Sequence, residues 1–213
     1  MNVIERSIST WWLNRKASIE VLLDRKASAI EDLRRIVSMN EGNAVARAAL
    51  GNLLAETGDT VGAMQQFELI TALHPADAEA WFNLGYLHDQ RDELQDAERA
   101  FRRSVELRPS IDRAWYGLGL VLIRQGRLDE AIESLRRNIK LQPFSPYGYY
   151  QLGMTYHHLG MAAEAEKVHD QLQKFEPKYA ATLKRDLAQT PPRALQRSTD
   201  VPSTREDTQA HGT

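Results

Sequence analysis

At a spacing of 34 residues the chain repeats four columns: Leu50, Leu84, Leu118 and Leu152; Gly51, Gly85, Gly119 and Gly153; Ala63, Ala97, Ala131 and Ala165; Pro75, Pro109, Pro143 and Pro177. Self-similarity at such a period marks a repeat array, in which each unit buries its apolar face only against its neighbours. Within a period the apolar residues fall at helical spacing, as in Trp81, Leu84 and Leu87 or Ala97, Phe101 and Val105, and strand-like alternation is absent. The columns therefore predict an all-α chain built from antiparallel helix pairs.

The first helix of each pair, helix A, is expected to begin near Val45, Glu79, Arg113 or Tyr147, and the second, helix B, to end just before the column proline. Proline has a fixed φ and no N–H, so it cannot continue a helix and marks the exit. Between the two helices stand Thr57-Gly58-Asp59, Arg91-Asp92-Glu93, Gln125-Gly126-Arg127 and Leu159-Gly160. Glycine there takes the left-handed conformation that ends a helix. The glycine column inside helix A is different, because a glycine in a helix interior costs about 1 kcal/mol against alanine. Close approach of helix B onto helix A offsets that cost, so Gly119→Leu is expected to lower the melting temperature although it raises helix propensity.

In these columns the chain resembles the tetratricopeptide repeat, whose signature runs Trp-x2-Leu-Gly-x2-Tyr, then Ala-x3-Phe, then Pro. Trp81, Trp115 and Tyr149 match its first column, while Arg47 departs from it. Tyr156 matches the Tyr column, where Leu54, His88 and Leu122 stand in the other units; Phe67 and Phe101 match the Phe column, replaced by Leu135 and His169. The resemblance covers about residues 44–179 and implies a right-handed α-solenoid, with repeats at 44–77, 78–111, 112–145 and 146–179. Residues 1–43 read as an N-terminal helical cap or degenerate repeat, since Ala29, Leu33 and Ile36 match helix B and Leu13 falls in the Trp column. Residues 180–188 read as a C-terminal capping helix, and 189–213, rich in Pro, Ser, Thr and charge, as a disordered tail.

Composition narrows the function. The formal net charge of −2 gives no global field for nucleic acid or anionic lipid, and there is no cysteine for disulfide or thiolate chemistry. The N-terminus lacks a signal-peptide apolar run and no stretch suits a membrane span, so the expected compartment is the cytoplasm. No nucleophile–base pairing, phosphate loop or dinucleotide motif appears, and no cofactor is expected. Asp129, Glu130 and Glu133 sit where acidic residues favour a helix N-terminus. His157, His158 and His169 lack the spacing of a metal site. Arg34-Arg35, Arg102-Arg103 and Arg136-Arg137 recur on helices B and read as solvated faces pairing with glutamates.

The resemblance implies a concave groove lined by helices A that holds an extended peptide or a helix. Its rows are Ala48, Ala49, Asn52 and Glu56; Phe82, Asn83, Tyr86 and Gln90; Tyr116, Gly117, Leu120 and Arg124; Tyr150, Gln151, Met154 and His158. Aromatic rings supply rigid contact area and amides satisfy a ligand's backbone. Tyr86, Tyr116 and Tyr150 are the expected anchors, with intra-array packing as the alternative role. Some members of the family hold the C-terminal carboxylates of chaperones in a clamp of Lys, Asn, Asn, Lys and Arg. Asn52, Asn83 and Arg113 match it, but Ala48 and Gly117 occupy the other two basic positions. The expected function is a non-catalytic scaffold, adaptor or chaperone-like factor that binds a peptide segment of a partner protein. The alternatives are a structural subunit of a larger assembly and a co-chaperone with a degenerate clamp. Trp11-Trp12 reads as a cap on the first helix pair or as a self-association patch.

Overall fold

A computed structural model of the chain describes residues 12, 13, 15–17, 19, 20 and 25–191. The described residues are helical or turn throughout, with no strand among them. They fall into two compact units divided between Leu141 and Gln142. The first unit holds α1 (Lys26–Met39), α2 (Ala44–Glu56), α3 (Thr60–Leu73), α4 (Ala78–Gln90), α5 (Leu94–Leu107), α6 (Asp112–Arg124) and α7 (Leu128–Leu141). The second holds α8 (Pro146–His158), α9 (Ala162–Gln173) and α10 (Pro177–Gln189). Trp11 lies outside the described residues; Trp12 is helical and 65% exposed, while Ala17 is buried in the same core as Ala29, Leu33 and Ile36 of α1.

In the first unit, α2–α3, α4–α5 and α6–α7 pack as tight pairs, with lighter packing from each pair to the next. Phe67, Phe101, Leu118, Leu122 and Leu135 are fully buried between them. Each such side chain contributes roughly 1.5–3 kcal/mol on leaving water. The glycine column brings the two helices of a pair together. A Cβ on Gly51 would stand 2.8 Å from the Phe67 ring, one on Gly85 2.8 Å from the Phe101 ring, and one on Gly119 2.9 Å from Leu135. Polar ties repeat as well: Ser104 Oγ donates to the Ala78 carbonyl at 2.8 Å, and Asn138 Nδ2 to that of Asp112 at 3.0 Å.

The Trp column also has a hydrogen-bonding role. Trp81 Nε1–H donates to the Pro75 carbonyl at 3.0 Å and Trp115 Nε1–H to that of Pro109 at 2.9 Å. Arg47, the departure from this column, donates Nε–H to the Glu41 carbonyl at 2.7 Å. The pair turns adopt left-handed backbone at Gly58 (φ 89°), Gly126 (φ 76°) and, without glycine, Asp92 (φ 62°).

The second unit departs from the expectation that helix B faces the glycine column. His169 stands in the Phe column of α9, half-buried and bonded to Asp170 at 3.2 Å. Gly153 on α8 instead meets Leu183 of α10, whose Cδ2 lies 2.8 Å from where a Cβ would be. The contact that Phe67, Phe101 and Leu135 make in the first unit is thus made here by α10. Tyr149 keeps the column bond, its hydroxyl donating to the Pro143 carbonyl at 3.1 Å, and Gly160 the left-handed turn (φ 75°). Phe175 stacks edge-on against both Phe144 and Tyr149, and Tyr147 against Tyr179.

Candidate functional site

Helices α2, α4 and α6 run side by side in the first unit, and a pocket of about 370 Å³ opens on them. Its floor is Ala55, Phe67, Phe82 and Leu87; its rim is Asn52, Asn83, Tyr86 and Arg113. The heptad-like stagger of a helix places Asn83, Tyr86 and Leu87 on one face of α4, with Asn52 and Ala55 opposite them on α2. Of the residues expected from sequence, Asn52, Phe82, Asn83, Tyr86 and Arg113 thus come together at one place.

These residues are not equivalent. Phe82 is only 8% exposed and packs its ring on Phe101 at a centroid distance of 6.1 Å. Arg113 lies over the outer face of Phe82, Cζ 4.6 Å from the centroid, a cation–π arrangement. Its Nη2 reaches Glu79 at 3.5 Å, but the other oxygen of Glu79 is held more closely by Arg108, at 2.9 Å. Asn52, Asn83 and Tyr86 spend no side-chain hydrogen bond on any described residue, and Tyr86 is 49% exposed. The pocket therefore carries unspent amide and hydroxyl groups and one cation, with no anion in its lining.

The third row is differently committed. Arg124 is paired with Asp89 and Asp92, while Tyr116 and Leu120 are half-buried on α6. Gly117 is half-exposed on α6, and a Cβ there would stand 2.6 Å from the Phe101 ring, which already rests on Gly85. A clamp lysine could not be accommodated there without displacing Phe101.

The fourth row belongs to the second unit, on α8. Tyr150 donates its hydroxyl to Asp186 Oδ2 of α10 at 2.8 Å. Burial pushes its phenol up from the usual value, and the Asp186 carboxylate adds to the shift. Asp186 is in turn held below the usual aspartate range by the Tyr150 hydrogen bond and by Arg185. Gln151, Met154 and His158 are half-buried on the same helix.

Of the remaining charged motifs, Arg102-Arg103 and Glu130 are engaged within the fold. Arg102 binds Glu98 at 2.8 Å and Glu130 at 2.7 Å, and Arg127 binds the same two carboxylates at 2.7 Å each. Arg103 pairs with Glu106 at 3.3 Å. Among the described residues no three His, Cys, Asp or Glu side chains are grouped to hold a metal, and no helix is long and apolar enough to cross a membrane. Ala55, Phe67 and Leu87 are the pocket residues that sequence reasoning did not single out. Phe67 was visible as a column residue, and Ala55 and Leu87 follow the helix-A period, but only the juxtaposition of α2, α3 and α4 makes a floor of them.

Comparison with known proteins supplies the relatives. Family profiles described as tetratricopeptide repeat match residues 25–85, 69–110, 88–146 and 146–179. No curated protein sequence gives a significant match. Among solved structures, that of MamA protein is similar with a TM-score of 0.74 and 25% identity, over 81% of this chain and 94% of that one. MamA from Desulfovibrio magneticus RS-1, residues 41 to its end, is similar at 0.73 and 18% identity, over 79% and 96%. YrrB, described as a TPR protein with an unusual peptide-binding site, is similar at 0.69 and 20% identity, over 79% and 88%.

Proposed function

The chain belongs to the tetratricopeptide-repeat family, and from that premise we propose that it is a non-catalytic interaction scaffold that holds a segment of a partner protein against the helix-A face of α2, α4 and α6. One observation carries the reading. Asn52, Asn83 and Tyr86 converge on an apolar-floored pocket with their hydrogen-bonding groups unspent, whereas Arg124 and Tyr150 are committed to partners within the chain. Pockets of this kind, mostly apolar with a few convergent polar groups, are the usual form of a binding site. The assignment to protein rather than small-molecule ligands comes from the family, whose arrays present surfaces instead of catalytic centres. In this reading α1 belongs to an N-terminal helical cap or degenerate repeat, α10 is a capping helix of the second unit, and the work is done in the cytoplasm.

A photo-crosslinking residue placed at Tyr86 tests the assignment in the native cell. Crosslinks to a discrete protein partner at position 86, absent when the same probe stands at Arg103 on α5, are expected. Equal labelling from both positions would remove the helix-A face from consideration.

A further inference from the structure

Resting on that reading, we infer that the pocket takes one bulky apolar side chain from an internal, extended segment of the partner, with an acidic residue beside it in the sequence.

The floor fixes the first element. Ala55, Phe67, Phe82 and Leu87 offer carbon alone, and the pocket volume of about 370 Å³ lies at the small end of ligand sites, room for one large side chain rather than for a helix face. A helix docked in a groove spreads its anchors over several turns. The rim fixes the second. Asn52 and Asn83 each carry an amide with a carbonyl acceptor and two N–H donors, none of them used by a described residue. A helical ligand has already paired its backbone internally, whereas an extended one arrives with free N–H and C=O groups that two amides flanking the pocket can satisfy.

Charge fixes the third element. Arg113 is the single ion of the lining, and its one carboxylate neighbour, Glu79, stands at 3.5 Å and is shared with Arg108. The Arg113 guanidinium is fixed over Phe82, so its outward N–H groups are presented at the pocket mouth without further loss of side-chain freedom. A carboxylate one or two residues from the anchoring side chain completes that pair. A free carboxyl terminus is not required, because two basic positions of a terminal-carboxylate clamp are held by Ala48 and by Gly117, where a side chain would meet the Phe101 ring.

The test uses random seven-residue peptides displayed inside a phage coat protein, with no free C-terminus, selected on the full chain. Selected sequences are expected to share one Leu, Ile, Met or Phe with Asp or Glu within two positions. For a selected peptide made synthetically with an amidated end, fluorescence anisotropy is expected to show at least about a tenfold loss of affinity in Ala55→Leu, which fills the floor. Arg113→Gln, or replacement of the peptide's acid by its amide, is expected to lose about fivefold, and the two changes together no more than either alone. Asn83→Ala supplies a rim variant that leaves the floor untouched, and circular dichroism checks that each variant is folded. Peptides that bind undiminished to Ala55→Leu and to Arg113→Gln, but lose affinity in Tyr116→Ala, overturn this inference and leave the helix-A reading standing. A selection that enriches nothing overturns both.

Discussion

Arg47 donates its Nε–H to the main-chain carbonyl of Glu41 at 2.7 Å, the bond that Trp81 makes to Pro75 and Trp115 to Pro109, each reaching six residues back along the chain. The sequence departs from the aromatic column at Arg47, and the physical role of the column persists. What the position needs is a flat side chain, at least half-buried, with a hydrogen-bond donor that ties helix A to the end of the preceding helix B. A guanidinium supplies it as an indole does. Arg47 is 7% exposed, and its Nη1 also binds Gln66 at 3.0 Å. Arg47→Ala is expected to lower the free energy of unfolding by about 2 kcal/mol, the sum of a lost buried stem and two stranded acceptors. Arg47→Trp keeps the donor and is expected to lose less than about 1 kcal/mol. Urea denaturation of both variants decides the point, and equal losses would mean that the shared donor is incidental.

Phe101 lies between two glycines. A Cβ on Gly85 would reach its ring at 2.8 Å and one on Gly117 at 2.6 Å, and the ring itself is 1% exposed. Met by both glycine positions and buried, the ring has little room in which to retreat. Gly117→Ala gains roughly 1 kcal/mol of helix propensity, but overpacking of a dense core costs about 1–3 kcal/mol. A net fall in melting temperature is expected, and Phe101→Leu is expected to recover part of it. Additive losses in this double-mutant cycle would show that the two positions do not press on each other.

How far the sequence is readable follows from the same residues. The columns of Leu, Gly, Ala and Pro encode period, helix spacing and exit, all local quantities, so helix pairs and turns can be placed from them. Gly117 is invisible in that way: it falls outside the glycine column, and its reason is the Phe101 ring contributed by the preceding pair. Likewise, Arg124 and Tyr150 look like open groove positions on a helical wheel. Their partners Asp89 and Asp186 stand 35 and 36 residues away, and nothing in the period announces them. At Gly153 the column repeats but its packing partner does not: the Phe column holds the polar His169 there, and Leu183 of α10 makes the contact. Repetition specifies the backbone; which element supplies the packing partner is decided in three dimensions, outside the period.

The turn at Asp92 offers a test of strain. Three of the four turns at this column place glycine in the left-handed region, and here an aspartate adopts φ 62°. Aspartate tolerates this conformation better than most residues, whereas a β-branched side chain does not. Asp92→Val is expected to destabilise by about 1–2 kcal/mol. Asp92→Gly relieves the backbone but gives up the exposed pair with Arg124, which is worth under about 1 kcal/mol, so it is expected to be near neutral. Thermal melts of the two variants separate the backbone contribution from the charge, and a valine variant as stable as the glycine one would rule out strain at this turn.

The two carboxylates between α5 and α7 make the stability of the first unit depend on pH. Burial pushes Glu98 up, but hydrogen bonds from Arg102 and Arg127 outweigh it and hold the group below its ordinary value of 4.5. Glu130 is likewise held low, first by Arg127 and then by Arg102. A carboxylate whose folded pKa lies below its unfolded one contributes stability that is fully present above the unfolded value and is lost as pH falls through the folded one. The loss is therefore expected below about pH 4.5, with no change between pH 6 and 8 from this source. Glu98→Gln/Glu130→Gln removes both groups and is expected to flatten the fall in urea midpoint between pH 5 and 3. Because Arg102, Arg127 and Glu130 are substantially exposed, 0.5 M salt is expected to narrow the gap between wild type and the double variant at pH 7. A double variant that falls as steeply with pH as the wild type would assign the acid sensitivity to other carboxylates.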